Sequence, residues 1–115
     1  MTVVYFVTRQ EYHEIISKSK ETLSFVAHSA TWCPPCRAVA PYYEKYSENY
    51  PKARFYKIQE TDEVDEEIDA VNKEANIYSF PTFIAFRGGH ERSRLPTGNP
   101  HYLEEFIKRN YQQFA

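Results

Sequence analysis

Runs rich in β-branched and aromatic residues alternate with segments of helical spacing, and that alternation limits this chain more than any other feature. Residues 2–7 (TVVYFV) read as a short strand. Thr8-Arg9-Gln10-Glu11 has the spacing of a capping box and predicts a helix over 9–20, with Tyr12, Ile15 and Ile16 on one face. Residues 23–29 read as a second strand. A helix over 33–50 follows, with Pro34 in its first turn, where a missing N–H costs little. Pro41 lies inside that helix and should bend it, and Pro51 stops it. Residues 53–59 form the third predicted strand, and Asp62 is placed to cap a helix running to about Ala75. Residues 81–87 and 91–96 read as a hairpin around Gly88-Gly89. Asn99-Pro100 then opens a last helix with Leu103, Phe106 and Ile107 inward.

Strands separated by helices imply parallel pairing through right-handed crossovers, and the closing hairpin adds antiparallel strands. The expected class is α/β, a mixed five-stranded sheet flanked by four helices, in a single domain over residues 1–115.

Charge narrows the function classes. Fourteen Lys and Arg stand against sixteen Asp and Glu, a balance that argues against general nucleic-acid binding. No apolar run approaches the ~18 residues a membrane span needs. The opening MTVVYFV lacks a basic leader region and a cleavage site, so the expected compartment is the cytoplasm. Aromatic residues make up 17% of the chain, more readily explained by an aromatic core than by a base-stacking surface, because basic interleaving is missing. Residues 60–75 hold eight acids and one lysine, read as a solvated helix face, with an acidic docking patch as the sharper alternative. Arg87, His90, Arg92 and Arg94 form a small opposite pole, also read as solvated surface.

The chemistry lies in Trp32-Cys33-Pro34-Pro35-Cys36, which holds the only two cysteines. They follow a predicted strand and open a predicted helix, the setting of a dithiol redox motif. At a helix N-terminus a sulfur faces unpaired N–H groups and the positive end of the helix dipole, both of which favour thiolate. Cys33 is therefore the expected attacker. Cys36, one turn further in and more buried, is the expected resolver. Three other uses compete. Half a zinc site would need ligands that His13, His28, His90 and His101 do not offer at finger spacing. A structural disulfide closing so short a loop would add little stability. A redox-dead pair retained for binding is the third.

The segment Ala30-Thr31-Trp32-Cys33-Pro34-Pro35-Cys36-Arg37, with Pro41 five residues after the second cysteine, resembles the active-site segment of thioredoxins. Tyr78-Ser79-Phe80-Pro81-Thr82-Phe83 resembles that family's cis-proline loop, and Phe86-Arg87-Gly88-Gly89 and Gly98 its later turns. The resemblance covers essentially the whole chain. It implies the thioredoxin fold and a protein-disulfide reductase in which Cys33 attacks and Cys36 resolves the mixed disulfide. It implies a cis Pro81 that brings the Phe80 backbone beside Cys33, and a flat docking surface of Trp32, Pro34, Pro35, Phe80, Pro81 and Gly98. It also implies roles in electron transport and cell redox homeostasis. No cofactor or metal would be bound beyond the Cys33–Cys36 disulfide. Electrons would come from NADPH through a thioredoxin-reductase-like flavoprotein. The other partners would be disulfide-containing substrate proteins, with no nucleic acid or membrane and a monomeric chain.

Two departures stand out. Pro34 occupies a position where the family's commonest motif has Gly, which removes one N–H and should leave Cys33 with a higher pKa. WCPPC also occurs in the tryparedoxin and nucleoredoxin branch, so that branch is an alternative. Six positions before Cys33, where thioredoxins usually carry a buried acid, stands Ala27. His28 alternates to the opposite face. Cys36 would then lose its proton through water or through Lys57, which fits the family's lysine near the site, and release should be slow. A disulfide-isomerase-like oxidoreductase and a non-catalytic binding module are the remaining alternatives.

Overall fold

The structure is a computed structural model that describes residues 2–114. Met1 and Ala115, the ends of the expected domain, lie outside the described residues. The strands are β1 (Val3–Tyr5), β2 (Ser24–Ala30), β3 (Arg54–Glu60), β4 (Thr82–Arg87) and β5 (His90–Pro96). The helices are α1 (Arg9–Lys18), α2 (Pro34–Asn49), α3 (Glu66–Glu74) and α4 (Pro100–Phe114). The sheet order is β1-β3-β2-β4-β5. β1 and β2 both run parallel to β3, whereas β4 is antiparallel to β2 and to β5. This is the mixed five-stranded sheet with four helices that the element order predicts.

β2 is buried on both faces along its whole length. Its odd positions, Phe25 and Ala27, join Phe55 and Phe83 against Val39 and Tyr43 of α2 and Leu103, Phe106 and Ile107 of α4. Its even position Val26 joins Ile58, Ile84 and Phe86 against Tyr12 and Ile15 of α1 and Ile68 and Val71 of α3. Each fully buried side chain of this size contributes roughly 1.5–3 kcal/mol. Tyr43 is buried to its hydroxyl, which lies 2.9 Å from Tyr56 O and 3.3 Å from Phe25 O. Its proton is thus shared between carbonyls of β3 and β2, and α2 is fastened across the two strands that carry the site.

Element ends follow local chemistry. The capping box of α1 forms, with Glu11 N–H donating to Thr8 Oγ1 and Thr8 N–H to Glu11 Oε1, each at 3.1 Å. Val7 N–H also donates to Glu11 Oε1, which turns the chain away from the sheet and leaves β1 shorter than residues 2–7. α1 stops at Lys18, not residue 20, because Ser19 Oγ folds back on Ile16 O at 2.6 Å and Ser19 O accepts from Gly88 N–H. The cap of α3 is Asp65, not Asp62. Asp65 Oδ1 accepts from Glu67 N–H at 2.9 Å and Ile68 N–H at 3.1 Å, whereas residues 61–63 are held in a separate turn through Thr61 Oγ1. Asn99 caps α4 as read, accepting from His101 and Tyr102 N–H.

Part of the basic pole is not simple solvated surface. Arg94 donates to Ala75 O at 2.8 Å and Asn76 O at 3.1 Å, closing the C-terminus of α3, and also pairs with Glu91. Arg87 donates to Gln113 O at 2.7 Å. Both guanidiniums find carbonyls that only the tertiary fold brings near.

Candidate active site at the head of helix α2

Cys33 is the N-cap of α2, in extended conformation, and Cys36 lies within its first turn. The two sulfurs are bonded, with Cα atoms 5.3 Å apart. Cys36 N–H donates to Cys33 Sγ at 3.3 Å. A helix start normally offers several orphan N–H groups, but Pro34 and Pro35 have none, so this one amide is what the first turn can aim at the sulfur. Cys33 is 6% exposed and Cys36 2%. The order of burial agrees with Cys33 as the outer sulfur.

The cis-proline loop closes the other side. The Phe80–Pro81 peptide is cis. Phe80 O lies 3.6 Å from Cys33 Sγ. Trp32 is 54% exposed and meets the half-buried Phe80 ring edge-on, with centroids 5.8 Å apart. Pro34 and Pro35 are exposed. Gly98 is needed for space, since a Cβ there would fall 2.7 Å from Pro35 Cβ. One member of the expected docking set is mostly covered by the protein. Pro81 is buried, lining a cavity with Cys36, and Thr82 at once enters the central sheet beside His28.

Behind Cys36 lies a cavity of ≈ 10 Å³ whose walls include Ala27, Ser29, Tyr43 and Lys57. Lys57 and Ala27, both singled out in the sequence, line this cavity, and so does Ser29, which was not singled out although alternation from Ala27 places it on the same face. Lys57 is 7% exposed and carries its amine 5.6 Å from the centre of the Tyr5 ring. Burial lowers its pKa, opposed by the charge of Glu44.

His28 points to the opposite face, as alternation predicts, and is fully buried. Its Nδ1 lies 2.7 Å from Asn72 Oδ1, and Asn72 Nδ2 donates to Glu60 Oε1 at 3.1 Å. Burial pushes its pKa down to about 4, opposed by the Asn72 bond. Its Nε2 has no partner among the described residues. His28 therefore takes no part in the thiol site.

The chemistry open to this arrangement is exchange between a dithiol and a disulfide, with one sulfur nearer the surface and its partner deeper. The sequence profile of the Thioredoxin family matches residues 3–109. Thioredoxin-1 of Saccharomyces cerevisiae is 37% identical over 108 residues, covering 94% of this chain and 98% of that protein. Thioredoxin-1 of Schizosaccharomyces pombe is 34% identical over 100 residues, covering 87% and 90%. The crystal structure of a thioredoxin from Nicotiana alata superposes with a TM-score of 0.82 at 27% identity, covering 95% of this chain and 92% of that one. These relatives, together with a bonded CxxC pair, support a thiol-disulfide oxidoreductase that reduces protein disulfides. A profile match along nearly the whole chain and full-length relatives of this identity carry the conclusion that the chain belongs to the thioredoxin family.

Proposed function

We propose that Cys33 is the nucleophile and Cys36 the resolving thiol of a cytoplasmic, monomeric, single-domain electron carrier serving cell redox homeostasis. The observation that carries this reading is the asymmetry of the pair: Cys33 caps the helix and receives the Cys36 amide, while Cys36 is the deeper sulfur. Cys33 thiolate attacks a substrate disulfide. A Cys33–substrate S–S bond forms, and the other substrate sulfur leaves as thiolate. Cys36 thiolate then attacks Cys33, forming the Cys33–Cys36 bond and releasing the second substrate sulfur. Two electrons pass to the substrate, and a thioredoxin-reductase-like flavoprotein fed by NADPH restores the dithiol.

Trp32, Pro34, Pro35, Phe80 and Gly98 form the face that meets the substrate. Phe80 O, beside the reactive sulfur, accepts an N–H from the substrate backbone. The test is trapping. With Cys36→Ser, a disulfide substrate should remain covalently attached to Cys33, detected by mass under non-reducing conditions. With Cys33→Ser no lasting adduct should form. A stable adduct on Cys36 in the Cys33→Ser protein would reverse the assignment.

A further inference from the structure

The chain carries ten tyrosines besides its two cysteines. A phenol ring gives up a single electron readily, and two phenoxyl radicals in contact couple through the ring carbons beside their hydroxyls. Such coupling depends on where two tyrosines meet in the fold.

Among the described residues there are two tyrosine–tyrosine ring contacts. The Tyr42 and Tyr46 centroids lie 6.3 Å apart, four residues apart on one helix, so a bond between them would tie α2 only to itself. Tyr46 also donates its hydroxyl to Pro100 O at 3.2 Å. Tyr50 and Tyr111 lie closer, with centroids 4.9 Å apart and planes at 69°, the edge of one ring against the face of the other. The remaining candidates lack a tyrosine partner. Tyr43 is fully buried among Phe55 and Phe83. Tyr78 is exposed, and exposed Tyr102 meets only His101.

The Tyr50–Tyr111 pair has the placement such a bond needs. Tyr50 is the C-cap of α2, outside helical geometry at φ −126° and ψ 71°, and Tyr111 lies in the last turn of α4. Two residues after Tyr50, Lys52 N–H donates to the Tyr111 hydroxyl at 3.4 Å across 59 positions of sequence, so the fold holds the two segments together. Both rings rest against the core on one side and are half-buried, which leaves the other side open to a small oxidant. Trp32, Cys33 and Cys36 would quench a tyrosyl radical at close range. They lie at the opposite end of α2, about 20 Å away at 1.5 Å per residue.

We propose that Tyr50 and Tyr111 form an oxidative modification site, an intrachain dityrosine staple between the C-terminal ends of α2 and α4, made by two equivalents of a one-electron oxidant. Each phenol gives one electron to an oxidant and one proton to solvent. The two phenoxyl radicals pair, and a C–C bond forms between ring carbons ortho to the hydroxyls. Each of those carbons then releases its hydrogen as a proton while its oxygen takes one up, which restores both phenols. The protein loses two electrons and two protons, and the oxidant is reduced by two electrons. Disulfide exchange cannot reverse a C–C bond, so the staple is permanent where the cysteine pair cycles. The site stands apart from the roles assigned to the two cysteines.

The experiment oxidises the dilute disulfide form with photolysed ruthenium tris-bipyridyl and persulfate, isolates the monomer and maps its tryptic peptides by mass. Peptides 46–52 and 110–115 should appear joined with the loss of two hydrogens, and fragment ions should place the bond on Tyr50 and not on Tyr46. Tyr50→Phe and Tyr111→Phe each remove a hydroxyl and keep the ring, and both should lose the joined pair. Tyr46→Phe and Tyr102→Phe should keep it. Oxidation in denaturing urea should reduce the pair to the level of other tyrosine combinations. The linked monomer should unfold at a higher urea concentration than the unlinked one, because the bond closes a long loop in the unfolded chain. A joined pair that survives in Tyr50→Phe, a map dominated by other tyrosines, or dityrosine formed between chains alone would overturn the site. A linked monomer with an unchanged urea midpoint would overturn the staple. Should a Phe variant fail to fold, the map of the unaltered protein, native against denatured, decides by itself.

Discussion

Ala27 and His28 are neighbours on the central strand, and the two faces they enter handle buried polarity in opposite ways. On the His28 face, imidazole, carboxamide and carboxylate are joined in a chain through Asn72 to Glu60. On the Ala27 face, Lys57 lines a cavity together with Cys36, and among the described residues no carboxylate is paired to it. Hydrogen-bonded polarity holds its shape, and changing it costs stability. An unpaired charge answers to whatever charge appears next to it. Stability should therefore be sensitive to substitutions on one face, and thiol reactivity to substitutions on the other.

The largest expected effect on the His28 side is a pH dependence of stability. With a folded pKa of about 4 against an unfolded value near 6.5, the unfolded chain binds the extra proton in between. Stability should be fully present above about pH 6.5, fall by about 3 kcal/mol as the pH drops to about 4, and level off below that. The groups facing the imidazole are Tyr12 of α1, Asn72 of α3, and Arg94 and Glu91 of β5, and the two β5 charges largely oppose one another. Denaturant unfolding across pH measures this. His28→Gln should flatten the slope in that window, and an unchanged slope would break the contrast between the faces.

Next in size, Asn72→Ala strips the partner from both His28 and Glu60. It should cost about 1–3 kcal/mol, read from the urea midpoint, while leaving the thiol exchange rate of the folded protein as it was. A fall in that rate as well would mean that the two faces communicate.

Smallest is Pro34→Gly, which adds a second N–H to the turn carrying Cys33. The Cys33 pKa should fall by about half a unit, observed by thiolate absorbance, with little change in melting temperature. A rise would show that the proline stabilises the thiolate by some route other than backbone donors.

What the sequence disclosed and what it withheld divide along contact range. The element order, the capping box at Thr8 and the Asn99 cap rest on patterns within a few residues, and so does the cysteine pair at the head of α2. The α3 cap was misplaced because the acidic run offers several carboxylates of equal local merit, and only the turn at Thr61 selects Asp65. Arg94 looked like surface because the carbonyls it closes are 18 and 19 residues away. The His28–Asn72 bond spans 44 residues and leaves no periodic trace. Alternation could place His28 and Ala27 on opposite faces. It could not show that Pro81 is buried.

The two prolines between the cysteines have a consequence for observation. From Cys33 to Arg37 the backbone carries a single interior amide proton, that of Cys36, and it points at the Cys33 sulfur. An amide spectrum of the protein therefore has one voice in this turn. Its chemical shift follows the charge on the outer sulfur, and its exchange with solvent slows whenever that sulfur becomes a better acceptor. A single resonance can thus act as a built-in redox and ionisation gauge, with no label attached to either thiol.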